Sequence, residues 1–194
     1  MKKLFILLLL SIPIVGVASA QSSLSGTGAT ENSSQFNIRT NMLYWLGGNA
    51  NIGVEWTPKN SRLGVVVNGG YSPLASTDWN HNLGGWFAAP EVRYYIGKSE
   101  NWFVGAQFLA ADYNVKLSET GYQGSLMGGG VTAGYKLPIS RVLDLDFSLG
   151  MGYGTLKYDS YYKHENGTNI YIEQGVETSK FIPIQAGVSL IFKL

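Results

Sequence analysis

The sequence predicts an all-β fold, an eight-stranded antiparallel up-and-down transmembrane β-barrel. Three observations support this prediction: an export signal at the start, alternation of apolar and polar residues in about eight segments, and connections that alternate between short and long. A period of two residues is that of a strand with one apolar face. Long loops at one end and tight turns at the other are typical of barrels that span the bacterial outer membrane.

Residues 1–20 have the pattern of a secretory signal peptide. A basic start precedes an apolar run over residues 4–17, and small residues flank Ser19. This arrangement predicts cleavage after Ala20. The run is shorter than the ~20 residues of a membrane-spanning helix, and Pro13 interrupts it, so the alternative of a membrane anchor is disfavoured.

Residues 21–35 are mostly small and polar, and we expect a flexible N-terminal tail there, ahead of a barrel domain over residues 36–194. Without residues 1–20, twelve basic and thirteen acidic residues remain, so nucleic acid is not an expected partner. The chain has no cysteine, which excludes disulfides and thiolate chemistry. Its 25 glycines, 13% aromatic residues and only 14% charged residues suit a β-rich membrane protein.

Eight segments with alternating character are the predicted strands. They are residues 36–45, 51–57, 63–71, 86–96, 102–112, 127–137, 143–153 and 181–194. Pro90 removes one backbone donor from the fourth segment, where we expect a local bulge. The closing segment has one apolar row, formed by Ile182, Ile184, Ala186, Val188, Leu190, Phe192 and Leu194.

The predicted connections alternate in length. Residues 58–61, 97–101 and 138–141 are short turns, whereas residues 72–83, 114–124 and 154–179 are predicted long polar loops; only the short turn at 47–50 departs from the rule. Aromatic residues on the apolar face lie near strand ends in two belts. These are Tyr44, Tyr71, Trp86 and Tyr153 at the long-loop end, and Trp56, Tyr94, Trp102, Tyr135 and Phe192 at the short-turn end. Two belts match two membrane interfaces, whereas the alternative, a soluble lipocalin-like barrel with its apolar face inward, does not explain them.

Five short motifs resemble a known family. They are RTNMLY at 39–44, GVEW at 53–56, EVRYYIG at 91–97, GYQG at 121–124 and AGY at 133–135. Over residues 37–194 the chain resembles an uncharacterised family, a domain of unknown function, of small eight-stranded outer-membrane barrels from anaerobic Gram-negative bacteria, OmpA/OmpX-like in architecture. The resemblance implies the bacterial outer membrane as the location, outer-membrane lipid as the surroundings, and the barrel assembly machinery as a partner of the C-terminal strand. The terminal Leu194 departs from the usual aromatic residue, although Phe192 keeps the right face two residues earlier.

The inward face carries a set of charged residues. Alternation places there Arg39, Glu55, Glu91, Arg93, Lys136, Asp144 and Asp146, all in the same half of their strands. Reflection about the hairpin turns sets Arg39 opposite Glu55 and Lys136 opposite Asp144, which predicts an ion-pair belt. The interior of an eight-stranded barrel is only wide enough for side chains, so such a belt is expected to plug it. Hydrated, unpaired lumen charges are the alternative.

Two histidines and four tyrosines in predicted loops are the remaining candidates. His81 near Asp78, or His164 beside Glu165, would give a general base with a carboxylate partner. No serine lies beside either histidine and the two are far apart, so we assign no catalytic residue, metal ligand or cofactor. The third loop carries candidate contact residues for a surface protein or glycan, Tyr158, Tyr161, Tyr162 and Tyr171. Stacking within an extended hairpin is the alternative for these tyrosines.

The sequence therefore favours a non-enzymatic outer-membrane barrel with a plugged lumen, which displays extracellular loops for envelope integrity or surface interaction. The alternative is a membrane-embedded lipid or peptide hydrolase that uses the loop histidines at the outer rim. A narrow pore and a soluble carrier also stay open.

Overall fold

The strands and one short helix are defined in a computed structural model that describes residues 34–72, 82–116, 120–163 and 169–194. The elements are β1 (Gln35–Asn41), α1 (Met42–Leu46), β2 (Ala50–Thr57), β3 (Leu63–Ser72), β4 (Asn82–Ile96), β5 (Trp102–Lys116), β6 (Thr120–Pro138), β7 (Leu143–Lys163) and β8 (Asn169–Lys193). In the described ranges, no helix is long and apolar enough to cross a membrane.

The eight strands form one antiparallel sheet in up-and-down order, and the sheet closes into a barrel. Each strand pairs with the next along the chain, and β1 pairs with β8. The predicted all-β class, the number of strands and their antiparallel order are therefore confirmed. This order brings the turns at 58–62, 97–101 and 139–142 to one end of the barrel, which we call the short-turn end.

The ring closes through its shortest strand. β1 makes only five residue pairs with β8, whereas β7 and β8 make twenty. Where β1 ends, the Asn41 side chain continues the contact by donating from Nδ2 to the Ala186 carbonyl at 3.2 Å. Beyond Asn41, α1 packs against β8 in place of a strand.

The two faces of the sheet have opposite polarity, because successive side chains along a strand point to opposite faces. Outward side chains are apolar and well exposed, among them Ile52 at 65%, Val131 at 68% and Leu149 at 71%. Inward side chains include Arg39 and Glu55, which are at most 1% exposed. This polarity is the reverse of that expected for the lipocalin-like alternative, in which apolar side chains fill the interior.

Outward aromatic rings lie at both ends of the apolar face. The rings of Trp102 and Tyr135 pair near the short-turn end, with centroids 4.8 Å apart. Tyr153 and Phe181 pair near the opposite end, with centroids 5.5 Å apart. Between these two levels, the outward face of the described strands carries no charged side chain.

The first strand is shorter than predicted. It ends at Asn41, and α1 occupies the residues that the sequence predicted to continue the strand to residue 45. Asn41 caps the helix, because its side chain accepts a hydrogen bond from the Leu43 N–H at 3.0 Å. Tyr44 therefore leaves the outward aromatic belt, and its ring instead packs edge-on against Phe87 with centroids 5.2 Å apart.

Strands β5 to β8 run further than predicted at the end opposite the short turns, which we call the extended end. β5 continues to Lys116 and β6 begins at Thr120, so the predicted loop at 114–124 is mostly strand. β7 continues to Lys163 and β8 begins at Asn169, so the predicted loop at 154–179 is mostly hairpin. The prediction of a loop at 114–124 was wrong, whereas at 154–179 the structure agrees with the alternative of an extended hairpin. In both segments polar residues interrupt the apolar alternation that marks a strand. Most of the predicted loop at 72–83 lies outside the described residues.

The expected bulge at Pro90 does not form. The β4–β5 ladder has the same register on both sides of this residue, with Ala88 opposite Ala110 and Glu91 opposite Gln107. The ladder is only interrupted there, since proline lacks the backbone donor but no extra residue is inserted.

A bulge is found in β8 instead. The register with β7 shifts between Gly150 and Met151, and Ile184 and Gln185 both face the interior as a result. Ile182 and Ile184 are 8% and 3% exposed, so both leave the outward apolar row predicted for the closing strand.

Candidate functional site

The candidate site is a cluster of charged side chains inside the barrel, near the short-turn end. The structure places all seven predicted lumen residues there: Arg39 on β1, Glu55 on β2, Glu91 and Arg93 on β4, Lys136 on β6, and Asp144 and Asp146 on β7. Five strands contribute because each carries its charges at inward positions of the alternation. We call this set, with Lys193 described below, the lumen cluster.

Arg93 joins two carboxylates of the lumen cluster. Its Nη2 lies 2.8 Å from Glu91 Oε2, and its Nη1 lies 2.6 Å from Asp146 Oδ2. The guanidinium carbon is 3.9 Å from the centroid of the Phe103 ring, a cation–π contact. Glu91 also accepts a hydrogen bond from the Thr132 hydroxyl at 2.5 Å. The charge of this fully buried arginine is thus compensated on several sides.

Glu55 and Asp146 each bridge two cations. Arg39 Nη1 is 3.6 Å from Glu55 Oε2, and its Nη2 is 3.3 Å from Asp146 Oδ1. Lys136 Nζ lies 2.5 Å from Glu55 Oε1, which also accepts the Tyr95 hydroxyl at 2.5 Å. Arg39 and Glu55 are therefore in contact as predicted, but diagonally, because the β1–β2 register sets Arg39 opposite Gly53 and not opposite Glu55. The sequence did not indicate that Glu55 also holds Lys136, or that Asp146 holds two arginines.

Asp144 pairs with Lys193 and not with Lys136. Lys193 Nζ is 2.7 Å from Asp144 Oδ1. The β6–β7 register sets Lys136 opposite Asp146 and Pro138 opposite Asp144, so the predicted Lys136–Asp144 pair was wrong by one inward position. Lys193 was missed, although its polar row in the closing strand was a usable signal. With Lys193 the lumen cluster has four basic and four acidic residues.

Uncharged side chains fill the interior further from the short-turn end. Gln107 Nε2 donates to Gln185 Oε1 at 3.2 Å, and Gln185 Nε2 donates to Ser148 Oγ at 3.1 Å. Ile182 and Ile184 lie buried beyond this amide layer. Successive levels of the interior are thus occupied by ion pairs, amides and apolar side chains.

The lumen cluster consists of ion pairs, and its carboxylates are not arranged as the ligands of a metal ion. Its carboxylates face guanidinium, ammonium or hydroxyl groups. Within the described ranges, no group of three or more His, Cys, Asp or Glu residues is placed to hold a metal ion. The hydrolase candidates His81 and His164, with Asp78 and Glu165, lie outside the described residues.

The four candidate contact tyrosines belong to strands. The Tyr158 ring packs edge-on against Tyr122, with centroids 6.1 Å apart. The backbones of Tyr161 and Tyr171 are paired across the β7–β8 ladder, and Tyr162 follows in the same ladder. For Tyr158 the structure therefore shows packing between neighbouring strands, β6 and β7, and not within the β7–β8 hairpin.

Comparison with known proteins assigns the chain to a family. A family model described as a protein of unknown function, DUF3575, matches residues 6–194. The chain belongs to DUF3575. This match covers all eight strands and confirms the expectation of a family without an assigned activity. No curated protein and no solved structure matches this DUF3575 chain.

The lumen cluster of the DUF3575 chain is neutral in total but not evenly exposed. The side chains of Lys136 and Lys193 are 15% and 32% exposed, whereas none of the four acidic residues exceeds 4%. The surface that the cluster presents is therefore basic.

Proposed function

We propose that this DUF3575 protein is a non-enzymatic β-barrel of the bacterial outer membrane. Its own side chains plug the lumen, and its extended hairpins are displayed outside the cell for envelope integrity or surface interaction. The observation that carries the proposal is the reversed polarity of the closed sheet, with apolar side chains outward and ion pairs inward.

The outward face supports contact with lipid. In hydrocarbon every backbone polar group must be satisfied internally, and closed barrels and helices are the structures that achieve this. The segment of β4 over residues 86–96 has the length that a tilted transmembrane strand needs, about 9–11 residues. Aromatic rings at both ends of the apolar face fit the two membrane interfaces. In water, by contrast, soluble proteins rarely expose such continuous apolar surface.

The interior supports a plugged lumen. Eight strands leave room for side chains only, and the ion pairs, the amide layer and the buried isoleucines occupy that room. Because the lumen cluster has equal numbers of basic and acidic residues, it offers a passing ion no uncompensated charge.

The extended end supports display. β7 and β8 are 21 and 25 residues long, more than a tilted strand needs to span a bilayer, about 9–11 residues. Outer-membrane barrels carry their longer connections on the extracellular side. We therefore assign the extended end to the outside of the cell and the short-turn end to the periplasm.

The location is tested by cell fractionation. We expect the protein in the outer-membrane fraction, with faster migration on a gel when the sample is not boiled, because a closed barrel stays folded in detergent. Recovery in the soluble periplasmic fraction would overturn the proposal.

Two matched variants separate a lipid-facing surface from a water-facing one. Leu149 and Thr155 lie on the same face of β7, at the middle of the apolar face and beyond the level of Tyr153. Leu149→Arg is expected to cost about 2–4 kcal/mol in a membrane, and Thr155→Arg about 0–1 kcal/mol. Folding into lipid vesicles, read as the heat-modifiable band, should therefore fail selectively for Leu149→Arg. Equal folding of both variants would contradict a lipid-facing β7.

A further inference from the structure

Each of the three turns at the short-turn end carries an unpaired basic residue. Lys59 lies between β2 and β3, Lys98 between β4 and β5, and Arg141 between β6 and β7, and all three are exposed. The one acidic residue of these turns, Glu100, lies 3.7 Å from the separate cation Arg62. The lumen cluster at the same end is neutral in total, but its partly exposed members are the basic residues Lys136 and Lys193. The short-turn end is therefore strongly basic.

The extended end does not share this charge. The charged side chains that the structure describes there are Asp112, Lys157, Asp159, Glu177 and Lys180, three acidic and two basic. Lys157 is neutralised by Glu177 at 3.2 Å. Among the described side chains, the basic surface is thus confined to the short-turn end.

Exposed apolar side chains lie on both sides of each of these three cations along the chain. Lys98 lies between Ile96 and Trp102, which are 42% and 62% exposed. Arg141 lies between Ile139 and Val142, which are 54% and 63% exposed. Lys59 is similarly placed between the exposed Trp56 and Leu63. Lysine and arginine beside aromatic and apolar side chains are suited to the level of lipid headgroups, where the stem lies along apolar surface and the charge meets phosphate.

We propose that the short-turn end binds anionic phospholipid headgroups of the adjacent leaflet through Lys59, Lys98 and Arg141. This inference rests on the proposed membrane location and adds the chemistry of the lipid that the barrel selects. Successive short turns are two strands apart, about 10 Å, so each cation faces a separate headgroup. A cell-wall polymer would also offer acidic groups, but it would not need the apolar flanks.

The test compares lipid preference in reconstituted vesicles. The full-length mature protein is placed in phosphatidylcholine bilayers that contain spin-labelled phosphatidylglycerol or spin-labelled phosphatidylcholine, and the immobilised fraction of each label is measured. We expect phosphatidylglycerol to be preferred, by about fivefold for each cation that engages a headgroup. High salt should reduce the preference, because it screens exposed charges.

Two double variants with equal charge change locate the effect. Lys59→Gln with Lys98→Gln should lower the preference at least fivefold, whereas Lys157→Gln with Lys180→Gln at the extended end should leave it unchanged. Equal immobilisation of both labels by the unmodified protein would overturn the proposal, as would equal losses in the two double variants. Sedimentation with purified peptidoglycan in place of selective lipid binding would reassign the surface to the cell wall. A protein that does not enter vesicles of either composition would refute the membrane location itself, and it is recognised by the missing heat-modifiable band.

Discussion

Two carboxylates of the lumen cluster each form ion pairs with two cations. Glu55 binds Arg39 and Lys136, and Asp146 binds Arg39 and Arg93. Removal of one such partner leaves buried charges without compensation, which costs more than the interaction itself contributes. The acidic members are therefore the positions at which substitution should damage the barrel most.

Replacement of Glu55 tests this dependence. Glu55→Ala should lower the free energy of unfolding by about 3–5 kcal/mol, because Lys136 and Arg39 lose their buried partner. The control is Glu177→Ala, which breaks an ion pair whose side chains are 63% and 56% exposed and should cost less than about 1 kcal/mol. Urea unfolding of the folded protein in vesicles gives both values. Equal midpoints for the two variants would show that the lumen charges are hydrated and independent.

The sequence predicted which residues face inward but not all of their partners. Alternation along a strand determines the face of each side chain, and it placed all seven predicted charges correctly. Contacts across the lumen, such as Arg93 with Asp146 on β4 and β7, depend on how the ring closes, which alternation does not report. Which residues lie opposite each other on adjacent strands depends on the turn between them. The turn lies at 139–142 and not at 138–141, so the residue opposite Lys136 is Asp146 and not Asp144.

Among the elements, β6 and β7 face each other along a double row of glycines. Gly130 pairs with Gly152, and Gly128 pairs with Gly154. A Cβ on Gly130 would collide with the Met151 carbonyl oxygen and the Gly152 Cα. These are backbone atoms, so no side-chain rotation can relieve the collision. The missing side chains thus allow the two backbones to come together on the inner face.

Two neighbouring glycines give a matched test of this approach. Gly130→Ala should cost about 1–3 kcal/mol, because the added methyl group forces the β6 and β7 backbones apart. Gly129→Ala should change stability by no more than about 0.5 kcal/mol, since its Cβ would meet only the Gln107 carbonyl oxygen at 3.5 Å. Urea unfolding in vesicles again provides the comparison. A smaller loss for Gly130→Ala than for Gly129→Ala would contradict the close approach.

The existence and order of the strands followed from the sequence, whereas several of their ends did not. Alternation of apolar and polar residues predicts a strand only where one face is apolar. The polar parts of β5 to β8 lack this pattern, so they were predicted to be loops. At the end of β1, Met42 and Tyr44 continue the alternation, but the Asn41 cap starts a helix there. In β8 one inserted residue turns Ile182 and Ile184 to the inner face, and a prediction that assumes a strict period of two cannot include such an insertion.

For the whole molecule, the filled interior predicts the absence of ion flow. Ion pairs, amides and isoleucines of the described residues occupy successive levels of the interior, and we expect them to leave no continuous aqueous path for an ion. The purified protein in a planar bilayer should therefore show no steady conductance, and a large general porin in the same bilayer is the positive control. Stable open-channel currents from the unmodified protein would contradict a plugged lumen.

The short ladder between β1 and β8 also has a consequence for how the ring forms and frays. These strands lie at opposite ends of the barrel sequence, so their pairing closes the largest chain loop and has the largest entropic cost of closure. Only five residue pairs offset this cost. We expect this joint to be made last during assembly and to open first on heating. Amide hydrogen exchange in vesicles should accordingly be faster at Ile38 and Thr40 than at Val104 in the middle of β5. Slower exchange at the joint would mean that the ring opens elsewhere, whereas faster exchange would identify the β1–β8 joint as the place where the barrel opens into a sheet, with β1 still paired to β2.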